Sequence, residues 1–152
     1  MKRLMVLAAL SGLGLLGACG GSDSPSAPTP PTTTLPPSFS GTYRGTMTFT
    51  GGGFNAAPIQ ASTTVTHTGT TLALSDMTIT SPFSGSFGLG SAVLNGNSFD
   101  GTNSYSSGGC GIVTSRYVGH FAGNLMNLTV TLTPAVRSRD CFVIDIRGEL
   151  SR

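Results

Sequence analysis

The chain reads as an all-β protein of about eight antiparallel strands closed into an up-and-down barrel, with a two-layer β-sandwich as the alternative. Three observations lead there. After Phe39 the apolar residues recur with a period of two, the signature of half-buried strands. Gly, Asn and Asp punctuate those runs at short intervals, as hairpin turns require. Charged residues make up only 9% of the chain, while Thr is abundant, a balance that favours strands over helices. Each strand has one apolar face, so the sheet must close on itself or fold into two layers.

The strands follow in order. From Phe39 to Thr50, Phe39, Tyr43, Met47 and Phe49 share one face with Gly41 and Gly45, and Ser, Thr and Arg occupy the other. Ile59, Ala61, Val65 and His67 continue the pattern, and Gly69-Thr70 turns the chain into Leu72 and Leu74. The phase slips at Ser75-Asp76, after which Met77 and Ile79 carry the apolar face; a β-bulge produces such a slip. Phe83, Phe87 and Leu89 open the next strand, which ends at Asn95-Gly96, the strongest hairpin signal in the chain. Phe99 and Tyr105 return. After a Gly-rich stretch come Val113, Tyr117 and Phe121, then Met126, Leu128, Val130 and Leu132, and last Phe142, Ile144, Ile146 and Leu150. No convincing helix intervenes.

The first residues are built differently. Met1-Lys2-Arg3 gives a positive start, and Leu4 to Gly17 is apolar but too short to span a bilayer, which takes roughly 20 residues. It has the proportions of a secretory signal. Its end, Leu16-Gly17-Ala18-Cys19, resembles the lipobox of bacterial lipoproteins. The resemblance implies lipidation of Cys19, cleavage just before it, and a chain exported and lipid-anchored to the cell envelope. Gly20 after the cysteine, where the enteric sorting rule reads for Asp, favours the outer membrane. Ordinary secretory cleavage near Ala18 is the alternative. The chain thus divides into a signal peptide over 1–18, a lipidated cysteine with a Pro/Thr/Ser-rich tether over 19–38, and a β-domain over 39–152. Such a tether is semi-rigid and, fully extended, reaches about 60 Å.

Removing Lys2 and Arg3 with the signal leaves six Arg against six Asp and Glu. A near-neutral surface without basic clusters offers no footprint for nucleic acid. Cys110 and Cys141 flank strands in a chain bound for an oxidising compartment, so a disulfide is expected, closing about 31 residues and contributing about 3.5 kcal/mol. Free thiols and a metal site are the alternatives, and the close Cys or His spacing of zinc sites is missing. No metal, cofactor or catalytic residue is predicted, and the chain is not read as an enzyme. His120 falls on an outer strand face, while His67 lies in the inner phase at a strand end. Asp145, Arg147 and Glu149 share one outer face, where cross-strand ion pairing is expected.

Two functional classes stay open. In shape the domain resembles lipocalin-like and avidin-like barrels, which implies a binding module for a small apolar ligand. Tyr43, Phe87, Tyr117 and Phe121 are the aromatics that would line its pocket or else fill the core. In size, lipobox and single disulfide it also resembles small envelope barrels that inhibit lysozyme or proteases, which implies an envelope-protein partner. An exposed loop over Ser104 to Gly111 would serve that second role.

Overall fold

The computed structural model describes residues 38–152; the signal segment, Cys19 and the tether through residue 37 lie outside the described residues. Ten antiparallel strands follow one another: β1 (Gly41–Gly51), β2 (Phe54–Thr68), β3 (Thr71–Leu74), β4 (Met77–Ser81), β5 (Gly85–Phe87), β6 (Gly90–Asn95), β7 (Ser98–Ser107), β8 (Gly111–Ala122), β9 (Leu125–Pro134) and β10 (Ile144–Ser151). Eight close a ring in the order β1, β10, β9, β8, β7, β6, β3, β2 and back to β1. The fold is a barrel rather than a two-layer sandwich. The hairpin of β4 and β5 stands outside the ring and attaches to it through β2.

Alternation builds the interior. Tyr43, Met47, Ile59, Val65, Leu72, Tyr117, Phe121, Met126, Leu128, Val130, Ile146 and Leu150 all point inward and are essentially solvent-free. An eight-stranded barrel is just wide enough for side chains to fill, and here they do. The slip at Ser75-Asp76 is present: β2 pairs first with β3 and then with β4 on either side of the break. Three bonds hold it there. The Ser75 N–H donates to the Thr64 carbonyl at 2.8 Å, Ser75 Oγ accepts the Thr64 N–H at 2.9 Å, and the buried Thr63 hydroxyl donates to the Ser75 carbonyl at 3.0 Å.

A second break separates β5 from β6, and it has its own cause. β6 pairs with β7 only as far as Ala92 opposite Gly101. There the Tyr117 ring, reaching across from β8, lies over Gly101, and its hydroxyl donates to the Ser91 carbonyl at 2.7 Å. Two residues further on β8, Ser115 Oγ donates to the Gly88 carbonyl at 2.7 Å. Two inward side chains of β8 thus hold the 88–91 segment by its carbonyls after it leaves β7, so β7 beyond Gly101 pairs with β8 alone. Gly101 is required there, because a Cβ would sit 2.5 Å from the Tyr117 phenol carbon and oxygen.

The two barrel ends differ. At one, Phe39 plugs the opening, stacked on Phe121 at 4.3 Å, with Phe99 and Tyr43 also against Phe121. Arg152 clasps the segment leading into β1: its guanidinium donates to the carbonyls of Ser38 (2.9 Å) and Ser40 (2.8 Å) and to Asn124 Oδ1 (2.9 Å). At the other end Cys110 and Cys141 are joined by a disulfide, tying the turn before β8 to the 135–143 connection.

Three local expectations are corrected. Phe83 does not open a strand; it sits exposed in the β4–β5 loop, edge-on to Phe49 at 5.7 Å, because the inward phase resumes only at Phe87. Phe142 precedes β10 and packs half-buried over Gly52. Ser104 to Ser107 belong to β7, so only the short 3-10 turn Gly108–Cys110 remains of the proposed loop.

Gly101→Ala should lower stability by about 1–3 kcal/mol through overpacking against Tyr117, read as a shifted urea midpoint. Gly85→Ala, where a Cβ meets nothing within 4 Å, should stay within about 0.5 kcal/mol. Replacing Cys110 and Cys141 together by Ala should cost about 3.5 kcal/mol in the chain-entropy account, measured the same way without reductant.

Candidate functional site

The interior is the first place to look, since barrels of this size hold either side chains or one small ligand. Tyr43, Phe87, Tyr117 and Phe121 are all brought to it, and all four are buried core residues. The tyrosine hydroxyls are spoken for: Tyr43 donates to the Phe39 carbonyl at 3.0 Å and Tyr117 to Ser91. Among the described residues no buried side-chain nitrogen or oxygen lacks a hydrogen-bond partner. These aromatics are therefore occupied in filling the barrel and carry no free polar group for a guest.

Burial also shows in the phenols. Desolvation, with a smaller push from Asp100, raises Tyr117 to about 12. Desolvation raises Tyr43 as well, offset in part by the Arg152 guanidinium. Tyr105 is raised first by burial and then by Asp76.

A broad concavity lies on the outer face, a trough of about 960 Å³ over β7, β8, β9, β10 and β1. Strand register lays its side chains in two rows across the sheet. One runs Ser98, His120, Asn127, Glu149; the other runs Asp100, Val118, Thr129, Arg147, Thr48. At about 4.8 Å per strand the longer row spans about 19 Å. Inward glycines create the dip. Gly119 faces the Phe99 ring and Gly148 lies against the Met47 backbone, so β8 and β10 settle closer to the core there than a side chain would allow.

Most of the trough's exposed lining is apolar, and the charges set into it are unspent. Among the described residues Asp100, Arg147 and Glu149 form neither ion pair nor side-chain hydrogen bond. The expected cross-strand ion pairing of Asp145, Arg147 and Glu149 does not occur among the described residues, because register sets Asp145 between Thr50 and Thr131, Arg147 between Thr48 and Thr129, and Glu149 beside Asn127, none of them charged; Asp145 instead accepts the Thr131 hydroxyl at 2.7 Å. His120 meets Ser98 Oγ at 3.3 Å through Nδ1. No acid bonds the other ring nitrogen among the described residues, and the flanking backbone N–H groups face β7 and β9 in the sheet ladder, where they cannot hold a developing oxyanion.

A smaller hollow of about 340 Å³ opens at the plugged end between the β2–β3 and β6–β7 turns. His67 borders it, as its inner phase at a strand end foretold. Among the described residues no group of three His, Cys, Asp or Glu is placed to hold a metal. The outward rows were legible only in part: residues 98 and 100, 118 and 120, 127 and 129, and 147 and 149 share the outer phase, but their alignment follows from register. No family model matches the chain, and neither a curated protein nor a solved structure matches it significantly.

Stability should fall in alkali because of Tyr117. Its folded-state value, about 12, lies above the ordinary tyrosine value of about 10, so its contribution is whole below about pH 10 and is lost as pH rises towards 12. Tyr117→Phe should flatten that decline in denaturation midpoints while costing about 1–2 kcal/mol at neutral pH for the lost bond to Ser91.

Proposed function

We propose that the chain is an envelope lipoprotein, anchored through Cys19, whose barrel is a non-catalytic binding module that meets a protein partner on the outer trough. The observation that carries this reading is a barrel interior filled by its own side chains, beside an outer concavity whose Asp100, Arg147 and Glu149 have no partner among the described residues. Unpaired charges of both signs at a docking surface set register and reject wrong partners more than they add raw affinity. The partner face therefore carries a cation opposite Asp100 and Glu149 and a carboxylate opposite Arg147.

The lipobox supports the anchor, and the tether supports the geometry, because a binding domain held away from the membrane needs a spacer. Two or more acyl chains give a stable attachment where one gives only reversible binding. The notion of a small apolar ligand inside the barrel loses its support with the interior filled.

A photo-crosslinking residue at Asn127, in the middle of the trough, tests the reading in intact cells. One discrete protein adduct is expected, lost with Arg147→Glu and absent when the crosslinker is placed at Ser86 on β5. Intact-mass measurement of the membrane-extracted chain should show acylated Cys19. A stoichiometric small molecule copurifying with the chain, with no adduct at Asn127, would overturn the protein-partner reading; an unmodified Cys19 would overturn the anchor.

A further inference from the structure

The hollow at the plugged end has the character of a ligand site in its own right, independent of the trough. Its volume, about 340 Å³, falls in the range of small-molecule pockets, which are mostly apolar with a few placed polar groups. Phe39 and Leu94 supply the apolar floor, and both pack into the core cluster. His67 forms a wall, its ring 5.4 Å from that of Phe39.

The walls are fixed before any ligand arrives. The Leu94 N–H donates to the Thr70 carbonyl and the Phe121 N–H to the Asn97 carbonyl, both at 2.8 Å, so each bordering turn is pinned to a strand. A site formed in advance spares the ordering cost that a mobile one would incur on binding.

The rim defines the head group. His67 offers nothing, because Nε2 is held at 2.8 Å by the Gly69 carbonyl and Nδ1 receives the Phe39 N–H at 3.5 Å. The Thr70 hydroxyl and the Asn97 amide, by contrast, make no hydrogen bond among the described residues. Both are neutral, and no Lys, Arg, Asp or Glu lines the hollow. A charged head at this exposed rim would meet no opposite charge; a hydroxyl or amide head finds a donor and an acceptor.

We infer that this hollow binds a single-chain amphiphile with an uncharged, hydroxylated head, its chain over Phe39 and Leu94 and its head at Thr70 and Asn97. The test uses the full chain carrying Cys19→Ser, so that no acyl group of its own competes. Calorimetric titration with monododecanoylglycerol, kept below its aggregation concentration, should saturate at one per chain, and dodecanoate should bind at least about tenfold more weakly, the worth of one good hydrogen bond. Thr70→Val with Asn97→Ala, both exposed and outside the core, should weaken the glyceride about tenfold with an unchanged thermal melt. Leu94→Trp, which fills the floor, should abolish binding. Absence of saturation, or a titration that both variants leave unaltered, would overturn the site. Equal affinity for dodecanoate would overturn the neutral-head assignment.

Discussion

The architecture turns on one side chain crossing one glycine. Tyr117 passes over Gly101 to reach the Ser91 carbonyl, and in doing so it ends the pairing of β6 with β7. A carbonyl leaving a ladder must be satisfied elsewhere, since a buried unpaired backbone group costs as much as a lost hydrogen bond. Tyr117 for Ser91 and Ser115 for Gly88 supply those partners from within the barrel. The strand is thereby free to bend, and Met77, Ile79, Phe87 and Leu89 on the β4–β5 hairpin and its exit come down into the core.

That same economy decides where recognition can happen. A ring of eight strands has little spare interior, and the hairpin's apolar residues use what the seam makes available. With the tyrosine hydroxyls bonded to backbone, a guest entering the barrel would have to displace both apolar packing and satisfied polar groups. The outer face carries the opposite arrangement. There Gly119 and Gly148 remove inner bulk, the sheet dips, and charged side chains line the dip without partners among the described residues. Glycines that tighten the core thus shape the surface opposite them.

Period-two alternation was strong enough in the sequence to reveal the barrel, the apolar face and the slip at Ser75-Asp76, because each depends on neighbours along the chain, but it ran β3 into β4 and β5 into β6, so about eight strands were read where ten form. Tyr117 was visible as an inward aromatic, but its role was not. The fact that matters is which carbonyl it meets, and Ser91 is 26 residues away. Phe83 misled for a related reason: an aromatic just after Pro82 in a Ser-rich stretch carries the apolar signal of a strand without the pairing. The trough was hidden for a third reason. Its rows join residues from five strands, and rows across a sheet exist only once register is set. His120 and Arg147 each read as ordinary solvated side chains because, taken singly, nothing on their own strands marks them.

The clasp ahead of β1 joins two strand ends. Arg152 holds Ser38 and Ser40 by their carbonyls and Asn124 by its side chain, and its guanidinium carbon lies 5.9 Å from the centre of the Tyr43 ring. Gly41, at φ +150°, leaves room for the Arg152 side chain where a Cβ would collide. Arg152 thereby ties the lead into β1 to the end of β10, strands that also pair with each other. The rim hollow, between Phe39 and the two turns, and the first trough row, from Ser98 to Glu149, both lie towards this reinforced end.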